Sequence, residues 1–179
     1  MAFRFETLDA ARHNREGFRS TDEALNNYLS HQARKDSERR LAATFVMVSE
    51  DAPSEIVGFY TLSNYTVELA ELPADVTRKL PRYPRLPATL IGRLARDERF
   101  PGAGKLLLVD ALTRAYAQTA GSGSVAIVAE AKDDDALRFY RRYGFLLLGT
   151  EPHRVYLPMG SVERLFRLAD PIPGSPFAG

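Results

Sequence analysis

The spacing of apolar residues along the chain sets out an alternation of strands and helices. Residues 2 to 7 alternate weakly and predict a first strand. Ser20 followed by Glu23 reads as a capping box opening a helix that runs to about Arg39, with Ala24, Leu25, Tyr28, Leu29 and Ala33 on one face. Ala42 to Val48 and Ile56 to Tyr65, rich in β-branched and aromatic residues, predict a hairpin with a longer loop over the polar residues 50–55. Leu72 to Pro87, with Pro81, Pro84 and Pro87 three residues apart, reads most simply as a stiff extended crossing, with a polyproline ligand as the other reading. Ala88 to Ala95 follows as an apolar strand.

From Lys105 to about Gln118, apolar positions 107, 108, 111, 112 and 115 form a buried helix stripe. Val125 to Ala129 is a continuous apolar run of the kind a central strand carries. Asp133, Asp134 and Asp135 favour a helix N-terminus, and that helix carries Ala136, Phe139, Tyr140 and Tyr143 along one side before Gly144 stops it. Phe145 to Thr150 and Val155 to Leu157 read as a last hairpin, and residues 161 to 168 add a turn or two of helix. The order strand, helix, three strands, helix, strand, helix, strand pair predicts an α/β fold, a mixed sheet with helices on both faces. One domain is expected over 1–168, with a flexible Pro/Gly-rich tail over 169–179.

Composition narrows the field. At 179 residues, 45% hydrophobic and 26% charged, the chain suits one globular domain, and no apolar stretch approaches the ~20 residues that span a bilayer. No secretory signal opens it, so a cytoplasmic location is the expectation. With no cysteine there is no disulfide or thiolate nucleophile, and His13, His31 and His153 lack metal-ligand spacing. A net charge of +1 conceals two basic clusters, Arg34-Lys35 with Arg39-Arg40, and Arg82, Arg85, Arg93, Arg96 and Arg99. The first is explained most simply by a helix C-terminus, with nucleic-acid contact as the other reading.

The stretch with most chemistry in it is Arg99-Phe100-Pro101-Gly102-Ala103-Gly104-Lys105, between the apolar strand and the long helix. Strand, glycine loop and helix outline an anion site, because glycines let the backbone approach closely while the helix amides and dipole point at the charge. A nucleotide P-loop is excluded, since Arg99 and Leu106 stand where Gly and Ser/Thr are required. A dinucleotide fingerprint would need glycine at Leu107.

The spacing Arg99-x-x-Gly102-x-Gly104 resembles the pyrophosphate loop of the GNAT acetyltransferases. Ala136-x-x-Phe139-Tyr140-x-x-x-Gly144-Phe145 is similar to the C-terminal signature of that family. Pro87-Ala88-x-Leu90-Ile91-Gly92-Arg93-Leu94-Ala95, Phe59-Tyr60-Thr61-Leu62-Ser63 and Ala24-Leu25-Asn26-x-Tyr28-Leu29 look like the GNAT toxins encoded with ribbon-helix-helix antitoxins. The likeness spans roughly residues 17 to 160, with one departure: Phe100, with Pro101 beside it, stands where related toxins carry the first glycine, in a loop about two residues shorter. Pro101 also lacks an amide proton.

The resemblance implies a GNAT-like fold, its mostly antiparallel sheet splayed in the middle. It implies acetyl-CoA as cofactor and acetylation of the α-amine of aminoacyl-tRNA, which stops translation. Its partners would be aminoacyl-tRNA and a ribbon-helix-helix antitoxin, with a homodimer left open and no membrane. Backbone amides near Leu94, Ala95 and Arg96 would pair with the pantetheine arm; Arg99, Gly102, Ala103, Gly104 and Lys105 would hold the diphosphate. Tyr140 would be the general acid for the departing thiolate. Arg93 and Arg85 are candidate contacts to tRNA, with solvated strand-end charge as the other reading. The absence of an obvious base on the site strands favours an α-amine, near pKa 8, over a lysine near 10.4. Other readings are acetylation of a small amine or a protein N-terminus, and a GNAT-fold binding module without turnover.

Overall fold

Two strands, β3 (Ala52–Glu68) and β4 (Arg85–Arg96), each run through both of the units into which the chain divides. The computed structural model describes residues 1–169. The first unit holds Met1–Ser63 and Leu90–Thr113; the second holds Asn64–Thr89 and the chain from Arg114 onward. Strands are mostly antiparallel and alternate with helices, giving the α/β architecture that the sequence predicts.

In the first unit the hydrogen-bonded order is β1 (Phe3–Thr7), β2 (Ala43–Ser49), β3, β4. β1 lies antiparallel to β2 with Phe3 opposite Ser49, and β2 lies antiparallel to β3 from the Ala43–Leu62 pair to Ser49–Ala52. The long hairpin loop expected at 50–55 is instead a tight connection through Glu50 and Asp51. Register shifts on either side of Val48 absorb the mismatch, so the polar residues from Ala52 extend the strand.

The first helix also departs from expectation. Its cap is Asp22, whose carboxylate accepts the Ala24 amide at 2.9 Å, while the Ser20 hydroxyl is spent on Asn26 Oδ1 at 2.8 Å. The helix then changes pitch: α1 (Glu23–Asn27) passes into a π turn (Tyr28–Gln32) and on into α2 (Ala33–Glu38). The buried face is not the predicted one: Ala24 is exposed, while Asn26, Tyr28, Leu29, Ala33 and Asp36 are buried. Tyr28, Leu29 and Ala33 join Phe18, Val46, Val48, Ile56, Phe59 and Ala95 in one apolar core.

Successive residues of β3 point to opposite faces. The Phe59 ring meets Phe18 and Tyr28, with centroids 5.5 and 6.3 Å away. On the other face lies α4 (Ala103–Gln118), where Tyr60 donates its hydroxyl proton to Asp110 at 2.5 Å. A Cβ on Gly58 would come within 2.5 Å of Leu107 Cδ1 and 3.0 Å of the Ala95 carbonyl, so only glycine lets this helix approach. The predicted stripe of Leu107, Leu108, Ala111, Leu112 and Ala115 is buried throughout.

In the second unit the order is the start of β4, then β5 (Ala126–Glu130), β7 (Arg154–Pro158) and β6 (Leu146–Leu147). β5 and β7 pair antiparallel from Ala126–Pro158 to Glu130–Arg154. The last hairpin has a first strand of only two residues. A 3-10 turn (Leu69–Glu71) precedes the crossing expected to be extended over Leu72 to Pro87, which instead contains α3 (Ala74–Thr77), with Pro73 at the helix cap, and ends inside β4. Helix α5 (Asp134–Arg142) starts where the aspartates predict, and α6 (Met159–Ala169) is longer than expected. Ala169 closes α6, and the rest of the tail expected over 169–179 lies outside the described residues. No helix among them is long and apolar enough to cross a membrane.

Candidate active site

The glycine loop of the first unit is built on a carboxylate. Asp97 follows the last residue of β4, is 1% exposed, and its amide donates to Val57 O at 2.8 Å. Its two oxygens accept the amides of Arg19 and Arg99, each at 3.0 Å, and the Arg99 guanidinium through Nε at 2.9 Å and Nη2 at 3.2 Å. Burial pushes the Asp97 carboxyl up, but the hydrogen bonds from Arg99 and Arg19 outweigh it and hold the group below the usual carboxylate range. The same bond holds Arg99 above its ordinary value. Arg99, expected on the diphosphate, thus commits two of its guanidinium nitrogens to the loop itself. Sequence reasoning passed over Asp97, although a carboxylate between an apolar strand and a glycine loop is a signal for such a brace.

From Asp97 the backbone turns tightly: Phe100 donates its amide to Asp97 O at 3.1 Å, and Ala103 to Phe100 O at 3.2 Å. Of the expected diphosphate donors, Ala103 therefore spends its amide inside the turn. Gly102 has φ +89°, and nothing lies within 4 Å of where its Cβ would be. Gly104 and Lys105 stand in the first turn of α4, where amides have no helical carbonyl four residues back. An open left-handed glycine, free first-turn amides and the positive end of a 16-residue helix fit a diphosphate.

Along the strand leading to this loop, Ala95 is buried in the core, Leu94 is half-buried, and Arg96 Nη1 donates to Asp97 O at 3.2 Å. Arg93 donates its amide to Thr61 Oγ1 at 3.1 Å and lays its guanidinium over the Tyr28 ring, 3.6 Å from the centroid. Arg85, in the second unit, is exposed and pairs with Glu68 at 3.2 Å.

Tyr140 lies on α5 of the second unit, a helix capped by Asp133, whose side chain accepts the Ala136 amide at 2.8 Å. Its ring is wedged between Phe139 and Phe145, with centroids 5.3 and 5.2 Å away. Gly144, at φ +93°, turns the chain so that the Phe145 amide reaches Tyr140 O at 3.3 Å. The Tyr140 hydroxyl makes no hydrogen bond to another described residue, and burial pushes its pKa up. It is a phenol that keeps its proton, suited to give one and unsuited to take one. His153, on the turn before β7, sits 2.9 Å from Asp134 at the start of α5 and is partly exposed.

No protein-family model matches the chain. It is 30% identical over 170 residues to a probable toxin TacT of Sinorhizobium fredii, covering 89% of this chain and 93% of that one. It is 31% identical over 150 residues to a tRNA-acetylating toxin of Mycobacterium tuberculosis, covering 83% and 87%. Among solved structures, a mutant of KacT superposes with TM-score 0.86 at 27% identity, over 93% of this chain and all of that one. AtaT complexed with acetyl-methionyl-tRNAfMet gives 0.84 at 26%, over 92% and 99%. AtaTR bound with AcCoA gives 0.80 at 27%, over 92% and 98%. The chain belongs to the family of tRNA-acetylating GNAT toxins.

Proposed function

We propose that this chain is the toxin of a toxin–antitoxin pair, an N-acetyltransferase that moves acetyl from acetyl-CoA to the α-amine of aminoacyl-tRNA and so blocks translation. The observation that carries the reading is its 31% identity, across most of its length, to a tRNA-acetylating toxin. AtaT, solved with acetyl-methionyl-tRNAfMet, supports the same acceptor. A ribbon-helix-helix antitoxin is the partner this reading implies, and the cytoplasm its location.

Acetyl-CoA, when bound, supplies an activated acyl thioester. The amides of Gly102, Gly104 and Lys105 would hold its diphosphate, and those near Leu94 to Arg96 would pair with the pantetheine arm. An α-amine, with pKa near 8, is substantially neutral at physiological pH, so no strong base is needed. Its nitrogen would bond to the acyl carbon as the carbon–sulfur bond breaks. Tyr140 would give its hydroxyl proton to the departing sulfur, the new ammonium would lose a proton to water, and Tyr140 would be reprotonated from solvent. Incubation with acetyl-CoA and charged tRNA, read by mass spectrometry, is expected to yield N-acetyl-aminoacyl-tRNA. A negative result across all charged tRNAs overturns the proposal.

A further inference from the structure

The turn between β4 and α4 satisfies its own main chain. Asp97, Glu98, Arg99 and Phe100 donate their amides to Val57 O, Arg19 O, Asp97 Oδ1 and Asp97 O, at 2.8, 2.9, 3.0 and 3.1 Å. Pro101 has no amide proton, and Ala103 closes on Phe100 O at 3.2 Å. That last bond, with proline second and glycine third at φ +89°, makes Phe100-Pro101-Gly102-Ala103 a type II β-turn. Proline presets one backbone angle and glycine takes the positive one without strain. No hydrogen bond joins the Gly102 amide to another described residue.

Phe100 ties this turn to the rest of the first unit. Its half-buried ring meets Phe3 of β1 edge to face, with centroids 6.2 Å apart and planes at 84°. The Arg99 guanidinium, held by Asp97, lies 5.6 Å from the same ring. The main chain of Val57 and Arg19, the Asp97 carboxylate and the Phe3 ring thus all fix one short segment. Counted as donors alone, Phe100 and Pro101 are a loss against the glycine of related toxins. A loop already in its receiving shape, however, gives up less freedom when an anion binds, and that offsets a missing donor. Resting on the coenzyme site of the proposed function, we propose that Phe3, Phe100 and Pro101 are positioning residues for acetyl-CoA. Phe3 and Phe100 anchor the turn and Pro101 stiffens it, so that the amides of Gly102, Gly104 and Lys105 are held ready for the diphosphate.

Calorimetry with acetyl-CoA, joined to steady-state kinetics with acetyl-CoA and charged total tRNA both varied, tests this on four variants. Pro101→Ala separates the two effects, since it restores an amide donor while freeing the turn. Acetyl-CoA is expected to bind it about threefold more weakly. Phe100→Gly is expected to weaken binding about tenfold, with KM for acetyl-CoA rising in step while KM for charged tRNA and kcat stay within about twofold. Phe100→Leu, which keeps apolar bulk against Phe3, is expected to recover part of that loss, and Phe3→Leu to lie between. A purely structural role would lower the amount of active protein without moving KM for acetyl-CoA alone. Unchanged or tighter binding in Pro101→Ala, or unchanged binding in Phe100→Gly, overturns the inference. If Phe100→Gly fails to fold, Pro101→Ala decides by itself. A wild-type chain that binds acetyl-CoA but acetylates no charged tRNA overturns the proposed function and leaves the anchored turn standing, whereas one that binds no acetyl-CoA overturns both.

Discussion

Asp97 grips Arg99 through two nitrogens, Nε at 2.9 Å and Nη2 at 3.2 Å, so the arginine nearest the glycine loop is part of the loop's frame. Asp97→Asn would leave donors facing donors at a buried site and is expected to cost about 2 kcal/mol, the exposure of Arg99 limiting the ionic share. The sign with pH follows from the lowered carboxyl. Its contribution is present above the unfolded value near 3.9 and is lost as pH falls through the folded value. Thermal unfolding between pH 7 and pH 3 is expected to fall less steeply for Asp97→Asn than for the wild type.

Tyr140→Phe keeps the ring between Phe139 and Phe145 and removes only the hydroxyl. Expected are an unchanged melting temperature, retained acetyl-CoA binding by calorimetry, and a kcat lower by about a hundredfold or more. Because burial raises this phenol, its protonated form persists beyond the ordinary tyrosine value near 10. The wild-type rate should therefore show no alkaline loss from Tyr140 between pH 7 and 9.

At Gly58 the obstacle is backbone: an added Cβ would meet the Ala95 carbonyl at 3.0 Å as well as Leu107. Leu107 can rotate; the strand cannot give way cheaply. Gly58→Ala is expected to destabilise by about 1–3 kcal/mol in denaturant unfolding.

Gly102→Ala meets nothing within 4 Å, so its cost is conformational, about 1 kcal/mol at φ +89°. Under the proposed role of the loop, calorimetry should show acetyl-CoA affinity falling about tenfold while the melting temperature moves by only a few degrees.

Periodicity made most of the fold legible. The α4 stripe, the apolar run of β5 and the aspartates opening α5 all lie where their spacing puts them, because each element's local preference agrees with its packing. The capping box points to Ser20, but Asn26 takes the Ser20 hydroxyl, and Asp22, which has no Glu or Gln three residues on, caps α1 instead. The hairpin loop is shorter than the polar run at 50–55 predicts, because the residues from Ala52 form the exposed first end of β3, where a strand tolerates polar side chains. At the site, motif spacing picks out Gly102, Gly104 and Tyr140 as candidates; the Asp97 brace has only the weak signal of a carboxylate between an apolar strand and a glycine loop, and the Arg93–Tyr28 stack has none. Both depend on which groups three-dimensional folding brings together.

The π turn over Tyr28–Gln32 holds one residue more than an α turn would. Deleting one residue there would let the segment close to ordinary α pitch, whereas inserting one would swing α2 by roughly 100°. Asp36, which accepts the Tyr28 hydroxyl at 2.9 Å, would then turn away, and Arg34 and Lys35 would sweep to a new compass bearing on the surface. Tolerance to a change of length in this segment is therefore one-sided.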